Sequence, residues 1–426
     1  MNLHSIVAAS AVALTTFACS PQEDATEAAG TWVGTITTEG NVTTVINESG
    51  SVWGGTATLV EELSIGVESG ADEYMLGGPG ELFATDDAVY VIDPQVPTVR
   101  VYDWQGVYLR NIGRQGQGPG EYSHPGGVMV DRNKRVYVSE AGSGSRMNVF
   151  SAAGEPLDTW SWSETGAVNI SGSQPILTHA GAIMLRATWY PPGELVDRNA
   201  RRRGWQQVGP SGPVGEPLEQ PELGVERLEI ALERGTIVVP HSPAQVSAFS
   251  PMGAYIVGDS SDYSFEIRQA DGHTIKVQRF WRPVPVSGDE KEYLKRTITA
   301  SARRSTAGPS WTYTGPEIPD HKPAYYLFAP AQDARVLVTR YGVSRYVEGC
   351  DLTFDLSERP REACFEYERI WDMFDLEGKY LGEIARPDAR ALFTPFWRGN
   401  ALWLMVEDEA GTIMVKRYRL VLPGER

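Results

Sequence analysis

Three histidines share a local context that could support metal chemistry. His124, His241 and His321 each lie one or two residues before a proline, and an apolar segment follows each proline. Neutral imidazole is a common Zn²⁺ ligand, and a site with three of them leaves a fourth position open to polarise water or a carbonyl group. The sequence therefore raises the hypothesis of a metal-dependent hydrolase or lyase. Polar residues that share this position by chance are the alternative.

Three aspartates form a second candidate set. Asp86, Asp87 and Asp131 follow apolar segments, where Asp favours a turn because its side chain accepts hydrogen bonds from the nearby backbone. Ca²⁺ ligation is the alternative, although no further acidic set can be assembled from the sequence to complete such a site. No nucleophile-elbow, zinc-protease or phosphate-loop motif occurs either. Whether the protein is an enzyme stays open at this point.

A basic segment, Arg201-Arg202-Arg203, stands out on an acidic chain whose formal net charge is −17. We interpret it as part of a hairpin loop, which is either solvated or in contact with an acidic partner. The acidic residues themselves are spread along the chain, and a surface of that sign repels nucleic acid and anionic lipid. We expect no nucleic-acid partner and a monomeric protein.

The N-terminus resembles an export signal. Residues Ile6 to Ala18 are apolar or small and uncharged, too short a stretch to span a bilayer as a helix, which needs roughly 20 residues. A small residue directly before Cys19 resembles a bacterial lipoprotein signal, although the segment lacks an early Lys or Arg and has Thr16 where Leu is usual. We predict a signal peptide over residues 1–18, lipidation at Cys19 and a flexible tether over 19–31. A signal that is simply cleaved is the alternative.

Cys350 and Cys364 are the cysteines that remain after this signal. In an exported protein, two such residues that flank a charged loop indicate a disulfide. Two free thiols that bind a metal are the alternative, but no histidine lies nearby in the sequence.

Two near repeats at the start of the chain indicate which elements position these residues. Ile65-Gly66 followed by Glu73-Tyr74 returns as Ile112-Gly113 followed by Glu121-Tyr122, and each copy leads into an apolar strand. A period of about 40 to 50 residues built from short strands is typical of a β-propeller blade. In that fold the inner strands line a central channel, so the three histidines could converge there.

The repeat predicts an all-β fold, a six-bladed β-propeller over residues 32–422. The last blade has only three obvious strands, so we expect an N-terminal segment within Val42 to Ile65 to supply its outer strand and close the ring. One helical insertion is expected over 286–304, between blades 4 and 5, where Ser287 and Glu290 have capping-box spacing. It either packs across one end of the ring or covers the channel mouth.

The connector from Ile112 to Tyr122, with its four glycines and the following Pro125, resembles a bacterial six-bladed β-propeller family related to NHL-repeat proteins. The resemblance extends over about Trp32 to Leu420 and implies a fold and an exported, often lipid-anchored location. It implies no catalytic residue.

We conclude from the sequence that this is an exported propeller, attached to the membrane only through a lipid anchor, which binds a small ligand or a protein partner through loops at one end of its channel. The alternative is a metal-dependent hydrolase or lyase that uses the three histidines with Zn²⁺ or Ca²⁺.

Overall fold

The computed structural model describes residues 30–78, 80–141, 146–162, 168–190, 201–233, 235–305, 307–356 and 363–425. These residues are all-β apart from one α-helix and one 3-10 turn, and their strands form six blades, which confirms the predicted six-bladed propeller. The signal peptide, Cys19 and most of the tether lie outside the described residues. Among the described residues, no helix is long and apolar enough to cross a membrane.

The strands follow one another as consecutive antiparallel blades. The N-terminal region contributes β1 (Val33–Glu39), β2 (Val42–Ser49) and β3 (Thr58–Ile65), and the 3-10 turn Asp72–Tyr74 follows. Blade 1 comprises β4 (Leu82–Ala84), β5 (Ala88–Asp93), β6 (Thr98–Asp103) and β7 (Tyr108–Ile112), and the connector forms the short pair β8 (Arg114–Gln115) and β9 (Glu121–Tyr122). Blade 2 comprises β10 (Pro125–Val130), β11 (Val136–Glu140), β12 (Arg146–Phe150) and β13 (Pro156–Ser161).

The second half of the ring continues the same order. Blade 3 comprises β14 (Val168–Leu177), β15 (Ile183–Trp189), β16 (Arg202–Gly209) and β17 (Gly212–Glu219), and the separate hairpin β18 (Glu229–Ala231) and β19 (Thr236–Val238) follows. Blade 4 comprises β20 (Gln245–Phe249), β21 (Tyr255–Asp259), β22 (Ser264–Arg268) and β23 (Thr274–Arg279), and helix α1 (Gly288–Ser305) comes next. Blade 5 comprises β24 (Leu327–Pro330), β25 (Arg335–Tyr346), β26 (Phe365–Asp375) and β27 (Tyr380–Ile384), and blade 6 comprises β28 (Arg390–Ala391), β29 (Phe396–Arg398), β30 (Ala401–Glu407) and β31 (Ile413–Val421).

Burial explains why the central strands are so apolar. In β5 every residue from Ala88 to Asp93 is buried, because each blade packs between two neighbouring blades and both of its faces enter the core. Tight turns then join the strands. Gly106 and Gly378 have φ values of 81° and 90°, the left-handed backbone that a hairpin turn after the third strand requires.

The N-terminal strands cross the outer edges of three blades, and we call residues 33–65 the N-terminal belt. β3 pairs with β31, with Ile65 opposite Val415, so the belt closes blade 6 as predicted. β2 instead runs parallel to β23 at the edge of blade 4, with Val45 opposite Val277. Between these two strands, the N–H groups of Val52 and Trp53 donate to the carbonyls of Tyr380 and Leu381 in blade 5 (3.1 and 2.8 Å). Residues Val42 to Asn47 therefore extend blade 4, and only β3 seals the ring.

Helix α1 begins within two residues of the predicted start, and the Ser287 hydroxyl accepts the backbone N–H of Glu290 at 3.1 Å. The helix packs on the loop that Cys350 and Cys364 close by a disulfide, which confirms the predicted pairing. Its Tyr293 ring lies 6.1 Å from Phe354 and 5.6 Å from Phe365, measured between ring centroids. The helix thus fixes the cysteine loop to blade 5. Residues 357–362 of that loop are not described.

A buried charge network joins blades 4 and 5. The Asp372 side chain is fully buried, and its carboxylate lies 2.8 Å from Arg340 and 3.4 Å from Arg279. The hydroxyls of Tyr263 and Tyr380 donate to its two oxygens at 2.6 and 3.1 Å. Burial acts to raise the pKa of Asp372, but the charges of Arg340 and Arg279 outweigh it and hold this pKa below its usual range. The carboxylate is therefore charged in the folded protein.

Candidate functional site

The central channel holds a cavity of about 370 Å³ that the inner strands of all six blades line. One apolar residue per blade illustrates this ring: Phe83, Val128, Ile176, Ala248, Phe328 and Phe396. A volume of this size is within the usual range for pockets that enclose small molecules, which combine apolar walls with a few polar groups. The channel is therefore the candidate ligand site.

Glu81 is the carboxyl group of this cavity, and it precedes the inner strand of blade 1. Burial raises the pKa of Glu81 to about 7, although a hydrogen bond from the Gln174 backbone and the charge of Arg186 act in the opposite direction. At neutral pH the side chain is therefore divided between its acid and carboxylate forms. It can donate a hydrogen bond to a ligand in one form and accept one in the other.

Blade 3 supplies the positive side of the cavity. β14 has an irregular register between Ser171 and Ile176, and Gln174 within it adopts φ 53°, which is uncommon for a residue other than glycine. This bulge brings Gln174 into the channel lining. Arg186 lines the cavity from β15, and its guanidinium lies 5.5 Å from the centroid of the Trp205 ring. The cavity therefore holds one acidic and one basic side chain, Glu81 and Arg186, beside the aromatic ring of Trp205.

Glu81→Gln should change how stability depends on pH. Because the folded-state pKa of Glu81 is raised, its stabilising contribution is complete below about pH 4.5 and is lost as pH rises through about 7. We compare the unfolding free energy of Glu81→Gln with that of the wild type at pH 9 and at pH 5. The difference, variant minus wild type, should be about 1–3 kcal/mol more positive at pH 9, and the lower value allows for partial solvent screening of the Glu81 charge. Urea unfolding at both pH values measures this difference. Parallel pH profiles for the two proteins would contradict it.

The three candidate histidines do not gather at the channel. The side chains of His124 and His321 are exposed, and none of the three lines the cavity. In the part of the chain that the structure describes, no group of three or more His, Cys, Asp or Glu residues could hold a metal ion. Their shared position before a proline is a local property of the sequence, and it does not orient the side chains toward one point.

His241 lies instead in a buried polar cluster beneath helix α1. Its Nε2 atom is 3.4 Å from the Glu290 carboxylate, which accepts a hydrogen bond from the Ser344 hydroxyl at 2.8 Å. The Lys322 ammonium donates to that hydroxyl at 2.6 Å, and burial lowers the pKa of Lys322. His241 has φ 60°, a strained backbone for a non-glycine residue. These contacts attach the start of the helix to blade 5.

The aspartates behave as turn and ion-pair residues. Asp131 accepts the backbone N–H groups of Asn133 and Arg135, both at 2.9 Å, as expected for a turn. Asp86 accepts from Arg398 at 2.8 Å, and Asp87 pairs with Lys134 at 2.6 Å. All three are thus engaged by cationic side chains or by the backbone.

The basic segment lies at the start of a strand, and its three residues have different surroundings. Arg202 and Arg203 open β16, which corrects the predicted hairpin loop for these two residues. Arg202 pairs with Glu219 at 2.8 Å, and Arg201 donates to the Thr188 hydroxyl at 3.2 Å. Arg203 is exposed and lines the channel cavity. It therefore adds to the positive charge that Arg186 provides.

Comparison with known proteins supports the same architecture. The DUF5128 family of six-bladed β-propellers matches residues 69–154, which include blade 1 and most of blade 2. The chain is a six-bladed β-propeller, as the match and the order of its strands both show. No curated protein matches the chain.

Solved structures similar to this propeller include three bacterial proteins. A DUF4221-family protein of Bacteroides vulgatus is 9% identical, with a TM-score of 0.49 over 87% of this chain and 99% of that one. A Bacteroides fragilis protein proposed to be exported is 8% identical, with a TM-score of 0.42 over 85% and 94% of the two chains. Virginiamycin B lyase of Staphylococcus aureus is 10% identical, with a TM-score of 0.36 over 87% and 95%.

Proposed function

We propose that this propeller is an exported binding protein that holds a small amide-bearing organic ligand in its central channel. The observation that carries the proposal is the pair Glu81 and Arg186 within a mostly apolar cavity of about 370 Å³. A primary or secondary amide complements this pair, because its carbonyl accepts from the guanidinium and its N–H donates to the carboxylate.

The walls indicate the rest of the ligand. Phe83, Trp205 and Phe249 line the cavity, so the body of the ligand should be apolar or aromatic. Arg203 near Arg186 adds positive potential and favours a ligand that is rich in acceptor atoms. The site that we propose is in the channel itself, whereas the sequence led us to expect the loops at one end. A contact between the segment Arg201 to Arg203 and an acidic partner is the accompanying proposal.

Replacing Arg186 with glutamine tests the proposal. We expect N-acetyl-phenylalaninamide to bind in the wild-type channel and to quench the fluorescence of Trp205. Arg186→Gln should weaken the binding of this ligand about tenfold, because the variant loses a charged hydrogen-bond donor. Arg132→Gln changes an exposed arginine of a blade 2 turn and serves as the matched control. Saturable binding that Arg186→Gln leaves unchanged, or no binding by the wild type, would contradict the proposal. The same titration of Trp205→Phe shows which part of the fluorescence change comes from Trp205.

Export and lipidation at Cys19 are the second part of the proposal. The apolar run from Ile6 to Ala18 directly before a cysteine supports them. The mass of the N-terminal peptide of the mature protein tests this part, because a lipidated cysteine is heavier than a cleaved, unmodified one. An unmodified Cys19 in the mature protein would exclude the lipid anchor.

A further inference from the structure

A second recess lies beside the channel, between blades 5 and 6, and we call it the blade 5–6 recess. It has a volume of about 260 Å³. Its polar side chains are those of Tyr326, Thr339, Arg369, Arg386 and Thr394, and Trp371 and Leu392 contribute apolar walls. Because Leu327 and Phe393 line both spaces, the recess opens next to the channel cavity.

Several donors in this recess have no acceptor among the described residues. The Tyr326 hydroxyl, the Thr339 hydroxyl and the Nε atom of Arg386 are all buried and make no hydrogen bond there. Thr339 is only 3% exposed. A buried donor left without a partner costs about 1–3 kcal/mol, so proteins rarely retain one without use. Three such unpaired donors around one cavity form a binding site that suits a ligand group which only accepts hydrogen bonds.

The charges favour an anion. Two guanidinium groups, Arg369 and Arg386, line the recess, and no Asp or Glu of the described ranges lines it. Burial lowers the pKa of Arg386, and the charge of Arg369 lowers it further, as expected for two neighbouring cations with no anion between them. Glu368 acts on Arg386 in the opposite direction, but it is exposed and is not part of the lining.

The geometry points to a small organic carboxylate as the ligand, and we propose the blade 5–6 recess as its binding site. A carboxylate offers two acceptor oxygens to guanidinium and hydroxyl donors without a donor of its own. The apolar walls at Trp371 and Leu392, and the stacking of Arg386 over the Trp371 ring at 5.0 Å, suit an acid with an apolar body rather than a bare inorganic anion. The proposal does not depend on the channel site, because the donors of the two spaces are different residues.

Benzoate is a suitable probe, because its ring fits the recess and its carboxylate presents only acceptors. We expect saturable binding of benzoate to the mature wild-type protein by isothermal titration calorimetry. Benzyl alcohol, which has the same ring without the charge, should bind at least about tenfold more weakly. Inorganic phosphate should also bind more weakly, and a phosphate that binds more tightly than benzoate would overturn the assignment to a carboxylate.

Two variants locate the binding. Thr339→Val keeps the shape of the side chain and removes one donor, so we expect benzoate affinity to fall about fivefold to tenfold. Because it also removes an unpaired buried hydroxyl, the ligand-free variant should be at least as stable as the wild type in urea. Arg386→Gln should weaken binding about tenfold or more.

Variants of the channel complete the test. Glu81→Gln and Arg186→Gln should leave benzoate affinity within about twofold of the wild type, because neither residue lines the recess. Benzoate binding that Thr339→Val and Arg386→Gln both leave unchanged would overturn the proposal. So would the absence of saturable binding by a wild-type protein whose unfolding is cooperative.

Discussion

Asp372→Asn is expected to lower the unfolding free energy by about 3–5 kcal/mol, because it removes the fully buried negative charge that pairs with both Arg279 and Arg340. Urea unfolding at pH 7 measures the loss. Asp87→Asn is the matched control: its pair with Lys134 is similarly close, at 2.6 Å, but about 60% exposed on both sides. That substitution should cost less than about 1 kcal/mol.

The same network predicts an acid dependence. Since the folded-state pKa of Asp372 is lowered, its stabilising contribution is present above the unfolded-state value near 3.8 and is lost as pH falls further. The wild type should therefore lose stability below about pH 4 by an amount that Asp372→Asn does not lose. A variant that unfolds within about 1 kcal/mol of the wild type at pH 7 would show that the network contributes little.

A truncation that removes β3 is expected to abolish cooperative unfolding. Without it, the backbone of β31 is an unpaired edge and blade 6 loses its outer strand, as the pairing of Ile65 with Val415 shows. We expect a chain that begins at residue 67 to form oligomers on size-exclusion chromatography. Scanning calorimetry should show no sharp transition.

The control truncation begins at residue 51 and keeps β3 while it removes β1 and β2. It loses the buried side chains of Val45 and Asn47, and the latter also donates to the Gly378 carbonyl and accepts from the Tyr380 N–H. This chain should be less stable but still monomeric and cooperative, because the ring stays closed. A chain that begins at residue 67 and unfolds as sharply as this control would contradict the role of β3.

Much of the fold is predictable from local sequence. The run Ala88 to Ile92 is apolar because both faces of its strand are buried, and Gly106 marks a turn that requires a positive φ. Ser287 lies at the residue where helix capping begins. Each of these signals depends on neighbours within a few residues, so the sequence alone is sufficient to detect it.

The path of the belt and the polar sites depend on distant neighbours. Nothing near Thr43 predicts that β2 pairs with a strand more than 200 residues away in blade 4. Glu81 resembles any acidic residue beside a glycine, and only the closed ring shows that it lines a channel together with Arg186. Arg369 and Arg386 form one recess only because β26 and the segment after β27 converge there. For the three histidines the local sequence predicted too much, because their shared position before a proline does not bring their side chains to one site.

The N-terminal belt also sets an order of events during synthesis. Glu61 of β3 pairs with Lys416 across a separation of 355 residues, so this early strand must wait for the last strand of the chain. At about 5–20 residues per second, the ribosome takes on the order of 20 to 70 seconds to supply that partner. Closing a loop of this length carries an entropy cost of about 5 kcal/mol, which the strand recovers only once blade 6 exists. During this interval the ring stays open at blade 6, and the export proposed above would act on the chain in this open state.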